Sequence, residues 1–435
     1  MKTLLFALLL FPFYLSAQVV TTIVGTGTGG FSGDNNAATG AQLSRPTSIA
    51  FDKAGNMYIA DADNYRVRRV NTAGIITTIA GNGTSGFSGE NGPATDASIT
   101  PTSVVTDTLG NIYIAELSRI RKISSAGIIT TIAGNATLGF NSDSIPATAA
   151  TLHTPYLGFV DTSGALYFSD SYNHRIRKID ATGIISTVVG VGTSGSAGDG
   201  GPASAANLNT PCFISHNAKG ELLIPDMGAR RVRKVDTAGI INAFAGTGGG
   251  GSGGDGGPAL TGTVGTCIGA ACDDAGNVYI TSTGTNIIRK VDTAGIITRI
   301  AGTGAMAYSG DNGPALLAEF NYINQVVPHN GDLYVVDMYN NRIRKIALST
   351  TSVDKNFGGN NILTIFPNPA IDQITITAPT KINDAIITDL SGQIVASYPC
   401  TSTKEYQAKL NINTLPPGMY LVKVNGRYSV RFNKI

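Results

Sequence analysis

YIADADNYRVRRV, residues 58–70, sets three arginines beside two aspartates. Such a run is either a basic patch that grips a polyanion or one hairpin of a repeated fold. Repetition decides between them. The second-strand acid and the third-strand arginine recur as Asp61 with Arg66, Asp170 with Arg175, Asp226 with Arg231 and Asp337 with Arg342, while a shortened turn keeps Glu116 and Arg119. One repeat loses both members together, carrying Ser282 and Ile287. Joint loss is what a charge pair across a hairpin predicts, because removing one partner strands the other. These pairs are therefore expected to be structural, with Arg68 and Arg69 on solvated strand surfaces.

The repeat has a fixed length. IVGTG at Ile23, IAGNG at Ile79, IAGNA at Ile132, VVGVG at Val188, FAGTG at Phe244 and IAGTG at Ile300 place their middle glycines 56, 53, 56, 56 and 56 residues apart. Within one period four strands alternate with turns: SIAFD, NMYIAD, RVRRV and IITTIA, broken at Lys53-Ala54-Gly55, Ala62–Asn64 and Asn71–Gly74. Four antiparallel strands written six times predict an all-β, six-bladed β-propeller. The chain opens on a fourth-strand sequence, VVTTIVG at Val19–Gly25, and the sixth period stops after its third strand, NRIRKI. The N-terminal strand is thus expected to close the ring and remove its open edges.

Composition agrees: 54 glycines, 7% aromatics and no tryptophan suit a β repeat with many tight turns. The balance of 31 basic and 29 acidic groups gives no global field toward nucleic acid or a membrane surface. The opening MKTLLFALLLFPFYLSAQ has the pattern of a signal peptide spanning residues 1–17, with cleavage after Ala17. Its apolar run is too short to span a bilayer, and no later stretch is long enough, so no transmembrane segment is expected after cleavage.

The motifs GDGGPA, GNVYITS, YIAD…NYRVRRV and AGIITTIAG resemble the NHL-repeat family of β-propellers, over residues 18–348. That resemblance implies the propeller fold; such propellers serve as binding platforms, scaffolds and lyases alike. Some are lyases with a histidine-ligated metal at the centre of the ring. Here His153, His174, His216 and His329 fall at different offsets within their repeats, so a three-histidine set is not expected. No GxSxG elbow or metalloprotease helix motif appears, and no catalytic residue is assigned.

The long connections between repeats share a face with the acid–arginine turns. Nine residues after each middle glycine stands an acid: Asp34, Glu90, Asp143, Asp199, Asp255 and Asp311. Six ring-related acids can hold cations or a basic ligand, or each can accept backbone hydrogen bonds in its own turn. One carboxylate per blade is a poor calcium cage, so calcium is the only ion considered and no cofactor is expected. Six residues after the same glycine come Phe31, Phe87, Phe140 and Tyr308, replaced by Ser196 and Ser252 in the fourth and fifth loops. These rings are pegs for the loop or platforms for stacking a ligand. Cys212 and Cys267 align near the starts of neighbouring innermost strands, where a disulfide or two buried thiols would fit; Cys272 is too close along its own strand to bridge Cys267, and Cys400 stands alone.

Residues 349–361, STTSVDKNFGGNN, read as a polar linker. Beyond it, residues 362–435 alternate apolar and polar positions around Gly and Pro turns, as a small Ig-like β-sandwich does. FPNPAIDQITI, TDLSGQIV, LPPGMYLVKV and the terminal RFNKI resemble, in order, the type A C-terminal sorting domain of the type IX (Por) secretion system. The resemblance implies handling by that machinery, export across the outer membrane of a Bacteroidetes-type bacterium, and a secreted or cell-surface product. The expected function is a binding or adhesion platform for an extracellular glycan, peptide or protein, with the loop face as ligand side. The alternative is an extracellular lyase or hydrolase acting at the channel mouth.

Overall fold

The computed structural model describes residues 18–348, 364–366, 370–378, 381–389, 393–399, 407–425 and 428–434. The expected signal segment 1–17, the linker 349–361 and Cys400 lie outside them.

Residues Gln18–Leu348 form one compact unit. Six antiparallel sheets follow one another along it, each a meander. The first is Pro46–Phe51, Met57–Asp61, Arg66–Val70 and Ile75–Ala80; the second Ser103–Thr106, Ile112–Ala115, Ile120–Ile123 and Ile129–Ala133. The third is Pro155–Val160, Leu166–Asp170, Arg175–Ile179 and Ile184–Val189; the fourth Ser215–His216, Leu222–Asp226, Arg231–Val235 and Ile241–Ala245. The fifth is Cys267–Cys272, Val278–Ser282, Ile287–Val291 and Ile296–Ala301. The sixth takes three strands from the end of the unit, Ile323–His329, Asp332–Asp337 and Arg342–Ala347, and its fourth from the beginning, Val19–Val24. There Val20 lies opposite Ile346 and Thr22 opposite Arg344.

Each sheet buries both faces, so its strands are apolar on alternate positions in both directions and pack on two neighbours. Ala60 and Val67 of the first sheet meet Ile114 and Ile123 of the second. Tyr113 and Ala115 meet Phe168 and Ile179 of the third, and Ile176 and Val189 meet Ile224 and Val235 of the fourth. Leu223 and Val232 meet Ile280 and Val291 of the fifth, and Tyr279 and Ile288 meet Val335 and Ile346 of the sixth. Val336 and Ile343 of the sixth then meet Ile59 and Val70 of the first. Successive packing of this kind, sheet on sheet with no helix longer than one turn among the described residues, is a β-propeller.

The first strands of neighbouring sheets are stitched by polar side chains. The Ser48 hydroxyl accepts from Val104 N and the Ser103 hydroxyl accepts from Leu157 N, while from the second strand of the third sheet the Ser169 hydroxyl donates to the Cys212 carbonyl, just before the fourth sheet's first strand. Gln325 Oε1 accepts from Ile49 N at 2.7 Å. At the opposite edge the turn between first and second strands is locked where the sequence reads Asp-x-x-Gly-Asn-x-Tyr: Asp52 accepts from Asn56 and from the Tyr58 hydroxyl, as Asp273 does from Asn277 and Tyr279. The repeated middle glycine is forced by close approach. Gly25 has φ +97°, and a β-carbon there would run into the Asn341 carbonyl oxygen.

The tail, described by itself, has a three-stranded sheet, Thr364–Phe366, Gln373–Thr377 and Gln407–Asn411, and a four-stranded sheet, Ile394–Pro399, Asp384–Thr388, Gly418–Val424 and Tyr428–Lys434. Both sheets feed one core containing Ile374, Ile376, Leu410, Ile387, Val422 and Phe432.

Candidate functional site

The connections between sheets carry most of the residues that the sequence singles out, and a buried arginine organises each of them. Arg68 is fully buried, not solvated as its sequence context suggests. Its guanidinium reaches the loop acid Asp34 at 2.6 Å and the strand acid Asp61 at 3.3 Å, and donates to the Ser32 and Gln42 carbonyls. Arg177 does the same between Asp143 and Asp170, both at 3.1 Å. Arg233 joins Asp199 at 2.7 Å and Asp226 at 3.9 Å, and Arg344 joins Asp311 at 2.7 Å and Asp337 at 3.6 Å. Arg121 holds Glu90 at 3.3 Å, with Glu116 turned to Thr100 N. In the fifth sheet Arg289 keeps its loop acid, Asp255, at 2.8 Å although Ser282 has replaced the strand acid.

The pairing expected from sequence is thereby redrawn. Asp61 and Arg66 are opposite in backbone register, as are Asp170 and Arg175, Asp226 and Arg231, and Asp337 and Arg342. In none of them do the two side chains form an ion pair; the acid turns inward to the arginine two residues further along. Opposed residues on a strand pair share a face, but the loop carbonyls that need donors lie deeper, where only the next same-face arginine reaches. In the shortened turn Glu116 likewise forms no ion pair with Arg119, which lies over the Phe87 ring at 3.9 Å. Arg66 instead donates to the Asn64 and Asn82 carbonyls.

The outer arginines cover the loop rings. Arg66 lies over Phe31 at 3.7 Å, Arg175 over Phe140 at 3.8 Å and Arg342 over Tyr308 at 3.6 Å. Each ring is clamped on one side by a cation and retains a solvent edge, being about two-fifths exposed: Phe31 42%, Phe87 44%, Phe140 37%, Tyr308 38%. The loop acids are likewise engaged: Asp34 also accepts from Thr78, Glu90 from Thr131, Asp143 from Thr187 and Asp311 from Thr22 N. Burial raises the Asp311 pKa, but the Thr22, Tyr308 and Arg344 donors outweigh it and leave the group below its ordinary value. Asp311 thus fastens the N-terminal strand into the sixth sheet.

The strand acids move the other way. Burial lifts Asp61 and Asp337 to about 6 and Asp226 to about 7, against the pull of their arginines and backbone donors. Asp226 stands highest for a visible reason. Asn64 and Asn340 donate to Asp61 and Asp337, but the corresponding residue beside Asp226 is Ala229, and Asp226 Oδ2 has no hydrogen-bond partner.

Around the inner end of the same face lie residues that the sequence did not single out. Tyr172 and Tyr339, the middle residues of their turns, are 56% and 51% exposed. Tyr172 stacks on His153 at 4.9 Å, Tyr339 meets Tyr322 edge to face at 5.1 Å, and Arg45 pairs with Asp63 at 2.9 Å in solvent. The corresponding positions in the fourth and fifth sheets are Gly228 and Gly284. Arg45, Thr154, Thr210 and Tyr322, which precede innermost strands here, all have φ between 48° and 64°. Left-handed backbone at arginine, threonine and tyrosine is strained, and such strain concentrates where a surface is shaped for contact.

Each histidine has its own packing partner. His174 Nδ1 accepts from Thr210 N, tying one sheet's turn to the next sheet's first strand; His216 packs on Phe159 and His329 stacks on Phe51. No group of three metal-ligating side chains occurs among the described residues. The possible disulfide is not formed. Cys212 and Cys267 are both free and buried, the first thiol against the Thr210 carbonyl and the second donating to the Arg231 carbonyl. Burial raises both thiols well above their ordinary value.

Known proteins place the two units. A family described as secretion system C-terminal sorting domain matches residues 364–435, and the teneurin NHL domain family matches residues 27–86. Human teneurin-4 is 29% identical over 227 residues, and mouse teneurin-3 is 27% identical over 353 residues, 72% of this chain. The chain spans only 8% and 13% of the length of those relatives. A Bacteroides thetaiotaomicron protein of unknown function superposes with TM-score 0.55 at 19% identity, covering 76% of each chain. An auxiliary nutrient binding protein from Bacteroides ovatus does so with TM-score 0.55 at 16% identity and the same coverage, a likeness of fold alone. The chain thus joins an NHL-like β-propeller to a C-terminal sorting domain of the type IX (Por) secretion system, which implies export by that route.

Proposed function

We propose that the six sheets form a closed six-bladed ring, that the tail is an immunoglobulin-like sandwich delivering it to the cell exterior, and that the propeller is a binding module whose ligand side is the face of the six long loops. Closure is supported by the packing of each sheet on the next and of the sixth on the first. The observation that carries the binding reading is the set of half-exposed rings on one fixed face: Phe31, Phe87, Phe140 and Tyr308 outside, Tyr172 and Tyr339 inside. Their supports are buried ion pairs and arginine clamps, so the surface is organised before a ligand arrives, which cuts the ordering cost of binding. Exposed, pre-set rings suit sugar faces or aromatic peptide side chains.

The loop acids Asp34, Glu90, Asp143, Asp199, Asp255 and Asp311 enter this reading as organisers of the loops. Calcium has no vacant carboxylate cage to fill in it, since each acid already faces an arginine. The test is a glycan and peptide array probed with the mature chain, with calcium and with chelator. Saturable binding that falls at least tenfold in Tyr172→Ala/Tyr339→Ala and is indifferent to chelator supports the proposal. Binding retained in that variant, or turnover of an arrayed polymer, rejects it.

A further inference from the structure

A second feature of the propeller lies at the other end of the innermost strands. A cavity of ≈ 290 Å³ takes its walls from the last residues of the first strand, or its counterpart, in all six sheets. It therefore opens away from the long loops. The lining is mixed, with Ile49, Val105, Val160, Ile214 and Val327 among its walls but about as much polar as apolar surface, and it contains His216 but no aspartate, glutamate, lysine or arginine.

Several side-chain polar groups in the wall are already occupied. Gln325 Oε1 accepts from Ile49 N, and the Thr106 and Ser215 hydroxyls donate to the Phe51 and Ala270 carbonyls, all at 2.7 Å. The Cys272 thiol donates to the Asp273 carbonyl at 3.3 Å. A charged ligand would give up its hydration and meet no carboxylate, ammonium or guanidinium partner in the wall.

Rings stand at the wall. Phe51 is stacked on His329 at 3.9 Å with planes 6° apart, and Phe159 on Tyr167 at 4.8 Å with planes 13° apart. A volume near 300 Å³ is the lower end of small-molecule sites. We infer that this axial cavity is a second binding site, taking a small, uncharged molecule with one or two flat rings, independent of the loop-face ligand.

Cys272 lines the cavity and is partly exposed, whereas Cys212 and Cys267 are buried, so the protein carries its own reporter. The mature full chain is titrated with 1-aminonaphthalene, uncharged at neutral pH, following its fluorescence. In parallel, alkylation of Cys272 by iodoacetamide is followed by peptide mass spectrometry. The expected result is saturable binding that slows Cys272 alkylation at least tenfold, with naphthalene-1-sulfonate binding at least tenfold more weakly. Cys272→Phe should abolish probe binding, Cys272→Ser should keep it, and Tyr172→Ala/Tyr339→Ala should leave it unchanged. An unchanged alkylation rate at saturating probe, absence of binding, or equal affinity for the sulfonate overturns the inference. The protection measurement uses the natural chain, so it decides the matter even if Cys272→Phe does not fold.

Discussion

Replacing Ala229 by Asn should stabilise the propeller, and should do so more at pH 8.5 than at pH 5. In the first and sixth sheets Asn64 and Asn340 each donate to the strand acid and to a loop carbonyl, Gly30 and Ala307. The fourth sheet has Ala229 at that position, and Asp226 is left with Oδ2 unbonded and its arginine 3.9 Å away. A hydrogen bond to a charged group contributes about 1.5–3 kcal/mol, and ordering the new side chain costs on the order of 1 kcal/mol. The amide should also lower the Asp226 pKa toward the values of Asp61 and Asp337, whose carboxylates receive such a donor.

The sign follows from linkage. Asp226 has a folded pKa of about 7, far above the ordinary value of 3.8 for an unfolded aspartate, so its ionisation weakens the fold: stability falls as pH rises from about 4 through 7 and levels above that. The variant should match the natural chain near pH 5, where both carboxyls are largely protonated, and exceed it by about 1.5 kcal/mol at pH 8.5. Urea melts followed by tyrosine fluorescence at the two pH values measure this, since the chain has 16 tyrosines and no tryptophan. A gain equal at both pH values, or a loss at pH 8.5, would refute the argument that Asp226 lacks a donor.

Asp170→Ala should destabilise the propeller by about 1–3 kcal/mol, because it leaves the buried Arg177 guanidinium with only one of its two acids, Asp143; adding Arg177→Ala should cost far less than the sum of the singles, while adding Arg175→Ala should be nearly additive, and the reverse pattern in denaturant melts would restore the pairing read from sequence. Removing residues 18–24 takes the fourth strand from the sixth sheet, so hydrogen exchange in Arg342–Ala347 should accelerate at least a hundredfold, and unchanged protection there would count against closure. Deletion of residues 362–435 should leave the propeller in the periplasm by cell fractionation; normal surface display of the truncated chain would contradict the sorting role. Mass mapping under native conditions should find Cys272 alkylated well before Cys212 and Cys267, and a Cys212–Cys267 bridge in the exported protein would overturn their assignment as free thiols.

The repeat made the sheets legible because the periodic glycine and the four alternating strands restate one local rule six times. Even the contribution of Val19–Val24 to the last sheet could be read, since a fourth-strand sequence stood alone at one end and was missing at the other. The ion pairs were only half legible. Register puts Arg66 across from Asp61, yet which side chain turns inward depends on where the long loop leaves its unpaired carbonyls, a non-local fact. One signal was available: the arginine two positions on, at 68, 121, 177, 233, 289 and 344, appears in all six repeats, including the one that lost Asp and Arg together. The inner tyrosines were not legible at all, because Tyr172 and Tyr339 have no counterpart in the other turns and so no periodic signature. The axial cavity escaped for a related reason: its walls are ordinary aliphatic strand residues whose meeting at the axis is a property of the assembled sheets.

The most direct measurement is hydrogen–deuterium exchange of the mature chain with and without its best ligand from the array. Protection of the turns carrying Tyr172 and Tyr339 and of the loops carrying Phe31, Phe87, Phe140 and Tyr308, with the tail unchanged, is the predicted result. Protection confined to the tail, or to the turns at the opposite end of the strands, would contradict the claim that the loop face is where this exported propeller binds.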